Sequence, residues 1–275
     1  MTADLFNFVS WAEYLEIDAV NFSSLKNMAQ GADYYKWRLA NPLVPTTDMK
    51  KGTAIHTMVL EPDQFSARYA VWEGARRGEA YAEMLAIETA SGREVITSSE
   101  YDCIKGAASA VFADADAQEL LAGALTEQTI QWEMHGFKCK ARLDAIKDAM
   151  LTDLKSTVDP LAWKFGRKTG DMFYHAQFAF YRDGYKIATG KDLPFSCVAV
   201  ASKPYHFVGV YDINEETLTE GQALYTNWLN ELRACLDTDA WHKKQKRQEL
   251  RLPAYMMESS MEDDGIDMSG IGGVE

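Results

Sequence analysis

The stretch Cys139–Ser156, CKARLDAIKDAMLTDLKS, limits what this chain can become more than any other. It holds two short apolar-flanked runs that read as strands, with Asp148 in the turn between them. Successive side chains of a strand point to opposite faces, so Asp153 and Lys155 share one face and Leu154 points into the core behind them. Asp144 lies on the neighbouring run. A carboxylate and an ammonium on one strand face, with a second carboxylate on the next strand, is the arrangement that metal-assisted phosphodiester hydrolysis needs. Hard oxygen ligands hold Mg²⁺ and the lysine stands beside the attacking water. The tripeptide D-x-K is weak by itself, because an Asp and a Lys two apart on an exposed strand are usually just solvated.

Two further segments strengthen it. Upstream, Lys51-Gly-Thr-Ala-Ile-His-Thr-Met-Val-Leu-Glu-Pro62 reads as a helix start, with Ile55, Val59 and Leu60 on its apolar face and Pro62 closing it. His56 lies at the edge of that face, where a histidine is more often structural than a ligand. Downstream, Tyr174-His-Ala-Gln-Phe-Ala-Phe-Tyr181 places Tyr174, Gln177 and Tyr181 on one helical face.

In order, these segments give G-x-x-x-H (Gly52 to His56), R-x-D (Arg142 to Asp144), D-x-K (Asp153 to Lys155) and Q-x-x-x-Y (Gln177 to Tyr181). The series resembles the RecB-type branch of the PDDEXK nucleases. GTAIHTMVLEPDQF, KARLDAI, TDLKSTVDP and YHAQFAFYRDG are similar to the nuclease domain of RecE-type phage exonucleases (exonuclease VIII), over about Phe22 to Pro253. The usual E-x-K is D-x-K here, and Asp is still a monodentate oxygen ligand.

The resemblance implies two-metal hydrolysis of DNA. It implies that His56, Asp144, Asp153 and the Leu154 carbonyl hold Mg²⁺, for which Mn²⁺ substitutes. Lys155 would orient and help deprotonate the water or offset charge on the phosphorane, and Gln177 and Tyr181 would position the water or the scissile phosphate. The implied activity is 5′→3′ digestion of linear duplex ends, leaving 3′ single strands for recombination by annealing. A RecT-like single-strand annealing partner and a ring-like homo-oligomer, a tetramer, are implied with it, in the cytoplasm of a bacterial host. Two alternatives are a structure-specific or single-strand endonuclease on the same scaffold, and a catalytically silent DNA-binding module. Glu133, on the strand before Asp144, is a further candidate acid.

Composition bounds the rest. A hydrophobic content of 47% supports a buried core, and no run approaches the ~18 apolar residues of a membrane span. The N-terminus is acidic and does not read as a signal peptide. Cys103, Cys139, Cys197 and Cys235 are scattered, without zinc or iron–sulfur spacing, and read as reduced thiols. A net charge of −13 is awkward for a DNA-binding protein, so binding has to use local patches. Lys164, Arg167 and Lys168, with Tyr174, are the leading candidates; Lys50-Lys51, Arg76-Arg77 and Lys243–Arg247 are others.

The expected architecture is a mixed α/β, PDDEXK restriction-endonuclease-like core with about five central strands flanked by helices. One domain spans residues 1–257, and an acidic, disordered tail spans 258–275. Helices are expected over about 21–39, 56–60, 79–90, 98–112 (capped by Ser98 or Ser99), 169–184 and 215–236. Strands are expected over 128–134, 138–146, 151–156, 195–202 and 206–213.

Overall fold

Ten residues on either side of a His135-Gly136 turn set the frame of the structure. A computed structural model describes residues 9–241 and residue 249. Its helices are α1 (Trp11–Glu16), α2 (Phe22–Leu25), α3 (Ala32–Ala40), α4 (Thr47–Leu60), α5 (Phe65–Arg68), α6 (Glu79–Ala90), α7 (Ser98–Ala113), α8 (Ala115–Leu121), α9 (Ala162–Asp171), α10 (Tyr174–Thr189) and α11 (Glu215–Thr238). Its strands are β1 (Tyr69–Trp72), β2 (Glu94–Thr97), β3 (Leu125–Met134), β4 (Phe137–Lys147), β5 (Met150–Thr157), β6 (Phe195–Ala201) and β7 (Val208–Ile213).

The five strands β3-β4-β5-β6-β7 form one sheet in that order. His135 and Gly136 both take positive φ, 52° and 75°, as a two-residue hairpin turn matched to strand twist requires. They join Met134 to Phe137 and so fix the β3–β4 register. β5 and β6 are parallel, and their crossover runs through α9 and α10; every other neighbouring pair is antiparallel. Every residue of β6 is buried, as a strand covered on both faces should be.

Each sheet face has its own core. Phe178 and Phe180 of α10 and Trp228 and Leu229 of α11 pack with Trp132, Leu143 and Phe195 on one face. Ile55 and Val59 of α4 and Ile104 and Val111 of α7 pack with Leu154, Val198 and Val200 on the other. α11 lies so close to α10 that a Cβ on Gly221 would come within 2.2 Å of the His175 carbonyl oxygen, so that position admits only glycine.

The fold is the expected mixed α/β core with five central strands. Local details differ. The expected helix over 21–39 is broken at Gly31 (φ 124°), between a 3₁₀ turn at Lys26–Gln30 and α3. α4 starts nine residues before His56, where the Thr46 hydroxyl accepts from the Met49 N–H at 3.3 Å. Thr97, not Ser98 or Ser99, caps α7 through a reciprocal box with Glu100. The segment 169–184 is two helices divided at Phe173, which sits at φ 60°. The parallel β1–β2 pair and α8 were not expected. All four cysteines are free. No helix among the described residues is long and apolar enough to cross a membrane. The domain edge at 257, the tail 258–275 and the basic run Lys243–Arg247 lie outside the described residues.

Candidate active site

β4 and β5 pair at Lys147↔Met150, Ile146↔Leu151 and Ala145↔Thr152, and there the pairing stops. The next two residues are Asp144 and Asp153. β5 stays bound to β6 as far as Thr157, so β4 is the strand that leaves. Asp144 fills the fork: its Oδ2 accepts the Leu154 N–H at 2.8 Å. A side-chain oxygen thus replaces the ladder bond that the splayed strands no longer make.

On the other side of β4, the register brings Glu127 opposite Asp144. Thr126 pairs with Ala145 and Gln128 with Leu143, while Glu127 between them takes φ 54°. That conformation is unfavourable for a residue with a Cβ, and such residues concentrate at functional sites. The Arg142 guanidinium holds the Glu127 carboxylate and also approaches Glu61 at 3.9 Å.

α4 supplies the third group. A Cβ on Gly52 would sit 2.7 Å from Ser156 Oγ, so the glycine lets the helix lie close on β5. One turn later, His56 Nδ1 lies 3.7 Å from Asp144 Oδ2. The ligand atoms of His56, Glu127 and Asp144 all fall within 4.8 Å of one another. Their side chains are 26%, 14% and 14% exposed, so the cluster is reachable from solvent.

The electrostatics fit a divalent cation. Burial, and then Asp153, push Asp144 up to about 8. Burial, and then Asp144, push Glu127 up to about 7. Burial, and then Lys155, hold His56 below its usual range, which leaves the neutral imidazole that metal ligation requires. Two carboxylates that resist ionising beside each other, with a neutral imidazole, are a donor set that a bound cation relieves.

The structure brings two of the expected ligands, His56 and Asp144, into one cluster and adds Glu127, which the sequence reading omitted. Asp153 stands beside the cluster rather than in it. It is 2% exposed, and its Oδ2 lies 2.7 Å from Lys155 Nζ. That contact is a close, buried ion pair, and it supports the charge on Lys155. Leu154 gives its N–H to Asp144, and its backbone is hydrogen-bonded to the His56 ring. Glu133 is exposed near the hairpin tip, paired with Lys138, well away from Asp144.

Lys155 is 13% exposed, 4.8 Å over the Tyr174 ring and 5.9 Å over that of Phe178. Burial works against its charge, but Asp153 and Asp144 outweigh it and hold its pKa above the usual lysine value. Gln177 Nε2 donates to Tyr181 Oη at 3.0 Å, and burial keeps that phenol protonated. On α9, Lys164 is paired with Asp159, Lys168 donates to Thr157 Oγ1 at 3.1 Å, and Arg167 is exposed. Lys50 and Arg76 are paired with Glu94 (2.8 Å) and Glu100 (2.5 Å) around a separate cavity of about 630 Å³.

A family model described as "PDDEXK-like domain of unknown function (DUF3799)" matches residues 21–250. The chain belongs to this PDDEXK-like family. The crystal structure of a protein from Eubacterium rectale, described as a "Putative exonuclease", matches it with a TM-score of 0.59. The match covers 92% of this chain and 96% of that one at 14% identity, a likeness of fold. No curated protein matches.

In this PDDEXK-like domain the signal for Glu127 was already in the sequence. A two-residue turn at His135-Gly136 makes every opposite pair sum to the same number, and Met134↔Phe137 puts residue 127 opposite 144. Glu133, the candidate acid on the strand before Asp144, is placed by that same register near the hairpin tip.

Proposed function

We propose that this PDDEXK-like protein is a divalent-metal-dependent deoxyribonuclease that digests linear duplex DNA from its ends, 5′→3′, leaving 3′ single strands. The observation that carries the hydrolytic reading is the convergence of His56, Glu127 and Asp144 beside the Asp153–Lys155 pair. The polarity, the 3′ product, an annealing partner and a tetrameric assembly rest on the RecE-type resemblance of the motifs.

His56, Glu127 and Asp144 would hold Mg²⁺ or Mn²⁺, with Asp153 and the Leu154 carbonyl as donors to a second ion. The bound ion supplies Lewis-acid polarisation of the phosphate and an acidified water. Asp153 fits its role as a buried carboxylate beside the cluster, held against the Lys155 ammonium at 2.7 Å. Lys155 is held as the ammonium by two carboxylates, so it donates to the water or the phosphate and offsets charge rather than taking a proton. The neutral Tyr181 hydroxyl, oriented by Gln177, offers one donor to the same region. The Tyr174 ring faces the Lys155 ammonium at 4.8 Å and helps hold it in place. Lys168 and Arg167 extend positive charge from the site along α9, and Lys164 does so only by leaving Asp159.

The test uses linear duplex DNA labelled at either 5′ or 3′ ends, alongside a covalently closed circle, with Mg²⁺ or with EDTA. The proposal expects Mg²⁺-dependent nucleotide release from the linear substrate, loss of the 5′ label first, and an intact circle. Cutting of the circle would show an endonuclease on the same scaffold. Binding without hydrolysis in Mg²⁺ or Mn²⁺ would show a silent DNA-binding module.

A further inference from the structure

The N-terminal helix α1 precedes the residues that the family model matches, yet two basic side chains of β4 fasten it to the site. Lys140 is buried, and its ammonium donates to the carbonyls of Tyr14 (2.7 Å) and Ile17 (2.8 Å), capping the end of α1 where a helix leaves carbonyls unpaired. Arg142, which holds Glu127 of the cluster, also donates from Nη1 to the Val9 carbonyl at 3.1 Å, just before α1 begins. Ser10 and Glu13 close a reciprocal capping box. A six-residue helix is too short to persist alone; this one is held at both ends by β4.

What this anchored segment presents is Trp11. The indole is 58% exposed, stacked on the buried Tyr14 ring (5.3 Å between centroids, 18° between planes), with the Arg142 guanidinium carbon 5.9 Å from it. The contacts Trp11–Arg142–Glu127 run without a gap from the indole to the metal-ligand cluster.

We infer that Trp11 is a stacking platform, a positioning residue that takes the nucleobase next to the scissile phosphate of a single strand entering the cluster. The inference rests on the proposed nucleic-acid hydrolysis. Its own warrant is that a flat, anchored, solvent-facing ring adjoins the cation that holds Glu127 of the cluster. Base–aromatic stacking is strong and indifferent to sequence, as digestion of arbitrary DNA requires.

The experiment compares the full chain, Trp11→Ala and Trp11→Phe. Fluorescence anisotropy measures binding of a thymidine oligonucleotide, and of the same strand with abasic sites, in Ca²⁺; steady-state digestion is followed in Mg²⁺. Trp11→Ala is expected to weaken binding of the base-bearing strand about tenfold and to raise KM similarly, with a smaller change in kcat. Abasic strands should bind parent and variant alike, Trp11→Phe should restore most of the affinity, and the exposed position predicts unchanged thermal melting. Equal affinity of parent and Trp11→Ala for the thymidine strand, or equal losses on thymidine and abasic strands, would overturn the inference. A parent that discriminates bases through Trp11 but hydrolyses nothing would support the platform and refute the nuclease reading instead.

Discussion

Asp144→Asn is the substitution that most directly tests the reading of the cluster. Asn is isosteric, and its Oδ1 can still accept the Leu154 N–H, so the fork between β4 and β5 should persist. What it removes is a carboxyl whose native pKa, pushed up to about 8 by burial and by Asp153, lies well above its unfolded value of 3.8. Between those two values the native state binds more protons than the unfolded state. The metal-free parent must therefore lose stability as pH rises from about 4 towards 8, at up to ~1.4 kcal/mol per unit. Glu127, pushed up to about 7, adds in the same direction. At pH 7 the Asp144 contribution is bounded at about 4 kcal/mol, and coupling to Asp153 makes that an upper limit. With Tm moving by about 2–4 °C per kcal/mol in a domain of this size, Asp144→Asn should melt several degrees above the parent in EDTA near pH 8 and should match it near pH 4. Divalent metal should reverse the order, because metal binding displaces those protons and stabilises only the parent. Thermal melts from pH 4 to 8.5, in EDTA and in Mg²⁺ or Mn²⁺, read both effects. Parallel parent and variant curves across the whole pH range in EDTA, with equal metal-induced shifts, would refute the reasoning.

Gly52→Ala should cost stability by about 1–3 kcal/mol and lower activity at least tenfold, because its Cβ would meet Ser156 Oγ at 2.7 Å and lift His56 from Asp144. Adding Ser156→Ala removes that oxygen and leaves the residue-156 Cβ at 3.9 Å, an ordinary contact, and should restore both in melts and nuclease assays. Lys155→Met should abolish hydrolysis and destabilise by about 3–5 kcal/mol, since it strands the buried Asp153 charge; Asp153→Asn combined with it should recover the melt but not the activity. Neutralising Lys164, Arg167 and Lys168 together should reduce the slope of log affinity against log salt by about 2 rather than 3. The reason is that Lys164 is already paired with Asp159. An unchanged slope in DNA-binding titrations would place the DNA path elsewhere.

The sheet was legible because its strands obey local rules. Alternation over Gln128–Met134, the His135-Gly136 turn and the run through Asp153 each act within about ten residues, and together they give three of the five strands. The boundaries that went astray depend on contacts from far along the chain. Thr47 to Ile55 contains a glycine and three threonine or aspartate residues that favour helix weakly. It is helical throughout because Gly52 lets it pack on Ser156, more than one hundred residues later. Phe173 divides α9 from α10 at a left-handed backbone that no proline or glycine announces. The β1–β2 pair joins strands of four residues each across an intervening helix, too short for periodicity to separate from loop.

The site was legible to the depth of its strand parity. Counting by twos along β5 places Asp153 and Lys155 together and Leu154 behind them, which matches the two cores. Parity does not say where two strands part, and that is what decides the ligand set. Because pairing of β4 with β5 ends at Ala145↔Thr152, Asp144 turns to Leu154 and joins His56 and Glu127, while Asp153 stays with Lys155. The same arrangement bears on how an acidic protein meets DNA. Without a cation, burial and crowding keep Asp144 and Glu127 from ionising fully, so the cluster offers a phosphate no positive charge, and the nearby ammonium of Lys155 is paired with Asp153. On the proposed nuclease reading, a divalent ion bound first supplies that positive charge, so strand entry at the cluster should depend on metal whatever the net charge of the chain.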